Sequence, residues 1–188
     1  MSERFDKVVT IMAQLRAPGG CPWDRKQTHE SLKPYLIEET YEALETIDRQ
    51  DFAKLKEELG DVLLQVLFHS QSGTDAGTFT IDDVLEQLSD KLVRRHPHVF
   101  GDGATSQSSL NSDQVVHRWE DIKRAERKNA GKPDSVLHDI PQALPALLRA
   151  YQTQVRAARV GFDWPDSPQG LAAVLAKVEE EIGELKHA

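Results

Sequence analysis

A single cysteine, Cys21, occurs in 188 residues. No internal disulfide can form, and a reducing cytoplasm is the default compartment. No apolar run approaches the roughly 20 residues of a membrane-spanning helix. The opening MSERFDKVVTIMAQL is broken by charge where a secretion signal would carry an uninterrupted apolar core. Positive charge is also short: 23 Lys and Arg against 31 Asp and Glu give a net charge of −8. Such a surface repels phosphate backbones, which argues against nucleic-acid binding. A small phosphorylated ligand fits only where basic residues cluster and a metal neutralises the rest. Aromatics are few, at 6%, yet the 39% hydrophobic content recurs at regular spacing and so argues against disorder.

Alternating strand patterns are missing as well; helical periodicity fills the chain. Phe5, Val8, Val9, Met12 and Leu15 predict a first helix over 4–15. Ala17-Pro18-Gly19-Gly20 breaks it. A loop follows, with Thr28 or Ser31 as caps for the next helix and Pro34 in its first turn. Thr80 and Asp83 predict a capping box opening a helix to about Arg95, with Ile81, Val84, Leu85, Leu88 and Leu92 as its core stripe. His96-Pro97-His98 ends that helix, and residues 100–113 form a Gly/Ser-rich loop. Asp113 starts a more charged helix. Residues 131–141 form a linker, and helices follow from Gln142 to about Arg159 and again at the C-terminus. The expected fold is all-α, a helical bundle.

The chain is organised around IEETYEALETIDRQDFAKLKEELGDVLLQVLF, residues 37–68. Positions three apart share a helix face, so Glu39 pairs with Glu42 and Glu58 with Asp61. A turn at 48–51 folds the second helix back on the first, and the carboxylates converge. Like charges that close repel unless something positive sits between them. An all-oxygen nest suits a hard divalent cation, Mg²⁺ or Mn²⁺. The alternative is a solvated, salt-bridged face, and Glu45, Lys54, Lys56 and Glu57 read that way. Asp61 differs, because it opens the run DVLLQVLF, apolar nearly all round and expected to be buried.

Other groups keep two readings open. Lys91, Arg94 and Arg95 are either partners of a helix dipole or a phosphate clamp. Trp23 and Trp119 are core residues or stacking platforms for a base. His96 and His98 lack further ligands at zinc spacing. Cys21 has no evident activating partner, which argues against a nucleophilic thiol.

The end of the chain repeats its beginning. Trp23-Asp24 precedes a helix with Glu38, Glu39 and Glu42; Asp163-Trp164 precedes one with Glu180, Glu181 and Glu184. The order and spacing agree, but the sequence stops at Ala188 before a second Glu-x-x-Asp. Two domains are expected: residues 1–130, and an incomplete second repeat over 142–188 that builds no metal nest of its own.

Four motifs resemble the MazG nucleoside triphosphate pyrophosphohydrolases of the all-α NTP pyrophosphatase superfamily. They are Gly20-Cys21-Pro22-Trp23-Asp24 with Gln27-Thr28, the EExxE…ExxD pair, Lys91 to Phe100 (KLVRRHPHVF), and Arg118-Trp119-Glu120-x-Ile-Lys123. The resemblance implies hydrolysis of a nucleoside triphosphate to monophosphate and pyrophosphate. It implies Glu39, Glu42, Glu58 and Asp61 as Mg²⁺ ligands, with Glu38 and Glu39 as the catalytic pair and Glu38 positioning or deprotonating water. It implies Lys91, Arg94 and Arg95 on the phosphates, with Trp23, Gln27, Trp119 and Lys123 also contacting substrate. A homodimer completing the bundle is implied too. Rival readings are a dUTPase-like relative and a non-catalytic dimerisation module.

Overall fold

The computed structural model describes residues 2–101, 110–133 and 135–187, and among these there is helix but no strand. The chain divides into two units, Met1–Ser109 and Leu110–Ala188. The all-α expectation is met. The central part of the predicted Gly/Ser-rich loop, 102–109, lies outside the described residues.

The first unit holds α1 (Glu3–Arg16), α2 (Lys33–Asp48), α3 (Phe52–Ala76), α4 (Ile81–Arg95) and the single turn α5 (Pro97–Phe100). Helix α1 is capped by Ser2, whose hydroxyl accepts from the Phe5 amide. A 3₁₀ turn over Asp24–Lys26 interrupts the loop to α2. Thr28 and Ser31 do not cap α2, contrary to the expectation from sequence. Each donates its amide to the other's hydroxyl, at 2.9 and 3.2 Å, and α2 opens after Leu32 with Pro34 in its first turn. The local Thr-Ser turn satisfies those groups before the helix begins. Three residues link α2 to α3, so the two lie antiparallel as a helical hairpin. Asp51 caps α3 by accepting from the Lys54 amide.

Helix α3 ends at Gly77, whose φ of 68° is the left-handed conformation that glycine takes without strain. The Thr80–Asp83 capping box forms as predicted: each side chain accepts the other's backbone amide. The Asp83 carboxyl is held below its ordinary value, first by the Thr80 hydroxyl and then by the Thr80 amide. Where the sequence reading ended the helix at His96-Pro97-His98, a short turn, α5, resumes at Pro97, because proline fits a first helical position.

The core of this unit is Met12, Leu32, Leu67 and Phe68, with Phe5, Val9, Leu64 and Ile81 packed against it. Each large side chain of this kind contributes roughly 1.5–3 kcal/mol on burial. The run 61–68 is not buried all round: Leu63 and Val66 are exposed, whereas the polar Gln65 is buried. On α2, Ile37, Tyr41, Leu44 and Ile47 are likewise exposed. Spaced three and four apart, they form a stripe on the face away from Ala43 and Thr46, the buried pair.

The second unit holds α6 (Ser112–Asn129), α7 (Ala146–Ala158) and α8 (Pro168–His187). Asn111 and Gln114 cap α6 reciprocally. By contacts this helix belongs with the second unit, whereas the sequence grouping runs the first domain on to residue 130. Ion pairs within the unit account for the association: Glu120 with Arg159 at 2.8 Å and Arg127 with Asp139 at 3.8 Å. Helix α7 starts at Ala146 rather than Gln142, because Pro145 sits in an extended conformation just before it.

Candidate metal centre

Glu39, Glu58 and Asp61 each bring an oxygen to one place, all within 4.8 Å of one another. The hairpin does this. Glu39 lies opposite Asp61 and Glu42 opposite Glu58, the order that antiparallel helices impose on two i, i+3 pairs. Glu58 is buried, with 2% of its surface exposed, while Glu39 and Asp61 are half-buried. Glu42 stands outside the trio and is exposed. Glu38 is exposed on the next face of α2.

The electrostatics match that geometry. Burial pushes the Glu39 carboxyl above its ordinary value, and the charges of Asp61, Glu42, Glu38 and Glu58 push it further. Glu42 is raised chiefly by the charge of Glu58, then by burial and by a hydrogen bond to Glu58. A nest whose own charges oppose its ionisation favours a bound cation. Its donors are all carboxylate oxygens, the set that hard divalent ions take.

One cation of the chain already touches the nest, and the sequence reading missed it. Lys54 donates to Glu58 at 2.8 Å and to Glu57 at 3.4 Å. Its ammonium is held above the ordinary lysine value, chiefly by the hydrogen bond to Glu58. The signal was present as an i, i+4 Lys-Glu pair, but the burial of Glu58 that makes it matter is a tertiary fact. Glu45 does stay on the solvated face, paired with Arg49 at 2.6 Å.

The remaining predicted residues fall into three places. Trp23, half-exposed, packs edge-on against Tyr35 and Phe68 with ring centroids 5.7 and 6.2 Å away. Gln27 donates to the Trp23 carbonyl at 3.0 Å and accepts from Ser31 at 2.7 Å. Arg16 holds this loop from α1, donating to the carbonyls of Asp24 and Gln27 and pairing with Asp75 at 2.8 Å. Next to the loop, His29 and His69 meet Nδ1 to Nδ1 at 2.8 Å with parallel rings. Burial, then His29, lowers the His69 pKa, and Glu30 opposes them. Lys91 and Arg94 line an open cavity of about 740 Å³ along α4 with Asp83 and Asp90. Arg95 is half-buried at the end of that helix. Trp119 and Lys123 lie on α6 in the second unit, and Lys123 pairs with Glu120 at 2.6 Å.

Residues 27–100, which contain the hairpin and its carboxylates, match the MazG nucleotide pyrophosphohydrolase domain. Over 184 residues the chain is 52% identical to the nucleoside triphosphate pyrophosphohydrolase/pyrophosphatase MazG of Thermotoga maritima, covering 98% of this chain and 67% of the relative. The chain belongs to the MazG family. The nucleoside triphosphate pyrophosphohydrolase of Escherichia coli K12 is 48% identical over 185 residues, again covering 98% of this chain and 67% of the relative. In fold, the chain resembles the crystal structure of a MazG-related protein from Thermotoga maritima, with a TM-score of 0.52 and 24% identity. That match covers 65% of this chain and 98% of the other. The MazG match thus spans the acidic hairpin, the loop from Gln27 and the basic end of α4.

Proposed function

We propose that the chain hydrolyses nucleoside triphosphates to nucleoside monophosphate and pyrophosphate, using Mg²⁺ or Mn²⁺, as a control on the cytoplasmic nucleotide pool. The observation that carries the reading is the convergence of Glu39, Glu58 and Asp61 on one point, in a chain closely similar to named pyrophosphohydrolases. These three would hold the cation, with Glu42 beside Glu58 as the fourth ligand. Bound there, a divalent ion supplies charge neutralisation at the phosphates and lowers the pKa of a water. The chain's own groups do the rest. Glu38, exposed beside Glu39, accepts a proton from the attacking water. Lys91 and Arg94 along the α4 cavity, with Arg95, hold phosphate oxygens, since guanidinium forks match that geometry. Trp23 offers its half-exposed face to the base, and Gln27 fixes the backbone that carries it. Trp119 and Lys123 supply further substrate contacts.

The test is the product and its label. Hydrolysis in ¹⁸O-water, read by mass spectrometry, is expected to place the label in the nucleoside monophosphate, with pyrophosphate as the second product. Label in pyrophosphate would mean attack at the β-phosphorus and would overturn the assignment. Release of orthophosphate alone would overturn it too.

The reading includes a homodimer. The hairpin turns its carboxylates inward and leaves apolar stripes outside: Ile37, Tyr41, Leu44 and Ile47 on α2, and Leu59, Leu63 and Val66 on α3. Stripes of this kind at helical spacing suit burial against other helices, and a second copy supplies the matching face. Light scattering after size exclusion is expected to give twice the 21.1 kDa chain mass. The double change Leu44→Glu, Leu63→Glu should reduce it to one chain mass. A monomeric wild type at micromolar concentration would sink this part.

Residues 142–188 correspond, on this reading, to the opening of a second MazG-like repeat. Glu180, Glu181 and Glu184 are exposed on α8, and Lys177 pairs with the first two at 2.7 and 3.2 Å.

A further inference from the structure

We propose that the second unit carries a binding site for a phosphate-bearing anion, walled by Arg124, Arg127, Arg156 and Arg159. A cavity of about 380 Å³ lies among these residues, within the size range of small-molecule sites. Four guanidinium groups line it against two carboxylates, Glu120 and Asp121. This is a local reversal of sign in a chain of net charge −8. None of the proposed metal ligands takes part.

Arg127 is the centre of the argument. It is 9% exposed, and its Nε–H has no hydrogen-bond partner among the described residues. Among the described residues its ion pair is with Asp139, long at 3.8 Å, and Asp139 also serves His138 at 3.2 Å and Lys132 at 4.0 Å. A buried guanidinium has five donors, and leaving even one of them unsatisfied costs free energy. A ligand rich in acceptor oxygens removes that cost.

The neighbours are held in place for such a ligand. Arg156 donates to the Val136 carbonyl at 3.2 Å, which uses one of its donors and fixes the fork. Arg159 is fixed by Glu120 at 2.8 Å. Burial alone would push the Glu120 carboxyl up, but Lys123 and Arg159 together hold it below its ordinary value. Glu120 therefore stays ionised and keeps Arg159 in position. Planar forks converging from α6 and α7 match the oxygens of a phosphate group in pairs. Valine side chains 116, 136 and 160 complete the wall.

Inorganic pyrophosphate and the phosphates of a nucleotide share this chemistry. Calorimetric titration of the full chain distinguishes them when pyrophosphate and adenosine monophosphate are used as separate probes, in excess chelator and 0.15 M salt. The chelator prevents the acidic nest from holding phosphate through a cation, so the site is read whether or not the hydrolytic reading stands. Saturable binding of pyrophosphate alone assigns the site to the free anion; binding of both assigns it to phosphate groups at large. Arg156→Gln and Arg159→Gln are each expected to weaken binding by about 10-fold. Arg127→Lys, which keeps the charge and removes the fork, should do the same. Arg159 is half-exposed, so its variant reports even where a change at buried Arg127 costs the fold. Lys91→Gln with Arg94→Gln should leave the affinity intact. No saturable binding of either probe overturns the proposal. So does unchanged affinity in both the Arg156 and Arg159 variants, or loss of binding in the Lys91/Arg94 variant.

Discussion

Asp61→Asn is expected to lower the rate of nucleoside triphosphate hydrolysis on the order of 100-fold or more, about 2.7 kcal/mol of barrier. The amide keeps the shape of the carboxylate and removes its charge, so the fold should persist. Asp61 is half-buried at the meeting point of the hairpin, within 4.8 Å of oxygens from Glu39 and Glu58. Removing one of three converging charges weakens a Mg²⁺ site steeply, since this ion gives up its waters only to several ligands at once. Glu58→Gln should cost as much, and it also turns the 2.8 Å ion pair with Lys54 into a bond to a neutral amide oxygen. Glu45→Gln, on the solvated face with Arg49, should change the rate less than about 2-fold. The paired amides at Glu181 and Glu184, on α8, should also leave it unchanged. Steady-state rates with a pyrophosphate-coupled assay decide the matter. Equal damage from Glu45→Gln and Asp61→Asn would show that the faces of α2 and α3 have been assigned wrongly.

Removal of divalent metal is expected to abolish hydrolysis altogether, and excess Mg²⁺ or Mn²⁺ to restore it. The reason lies in the crowding of the nest. Glu39 and Glu42 are both pushed above the ordinary carboxylate value, Glu39 first by burial and Glu42 first by Glu58, and among the described residues Lys54 alone is in ion-pair contact with Glu58. A cation that binds the folded chain and not the unfolded one must also stabilise it, by about 2.7 kcal/mol at a hundred times its dissociation constant. Thermal melts should therefore rise with Mg²⁺ for the wild type and stay flat for Asp61→Asn. Full activity in excess EDTA would rule out the metal centre whatever the melts showed.

The convergence of Glu39, Glu58 and Asp61 is legible in the sequence because every step is local, whereas Glu42, read with them, stands outside the trio. Two i, i+3 acidic pairs, helical periodicity on both sides and a three-residue turn leave little choice about what faces what. Lys54 escaped because its importance depends on the burial of Glu58, and burial depends on packing rather than spacing. The run from Asp61 to Phe68 misleads for the opposite reason. Apolar residues on every face suggested burial on every face, whereas a single chain covers only the side carrying Leu67 and Phe68. Residue type places Thr28 and Ser31 at the helix start, but they satisfy each other, a choice that residue type alone does not reveal. The His29–His69 contact joins positions 40 apart, beyond any periodic signal.

The fastening of residues 24–27 by Arg16 has a consequence for how tightly substrate can be held. One guanidinium, 9% exposed, ties two loop carbonyls and the end of α3 to α1. The strap that carries Trp23 is therefore already ordered before a nucleotide arrives. Immobilising a mobile segment on binding consumes part of the interaction free energy. Here that loss of freedom occurs once, during folding, so on the proposed reading a contact between Trp23 and a nucleotide would go to affinity undiminished.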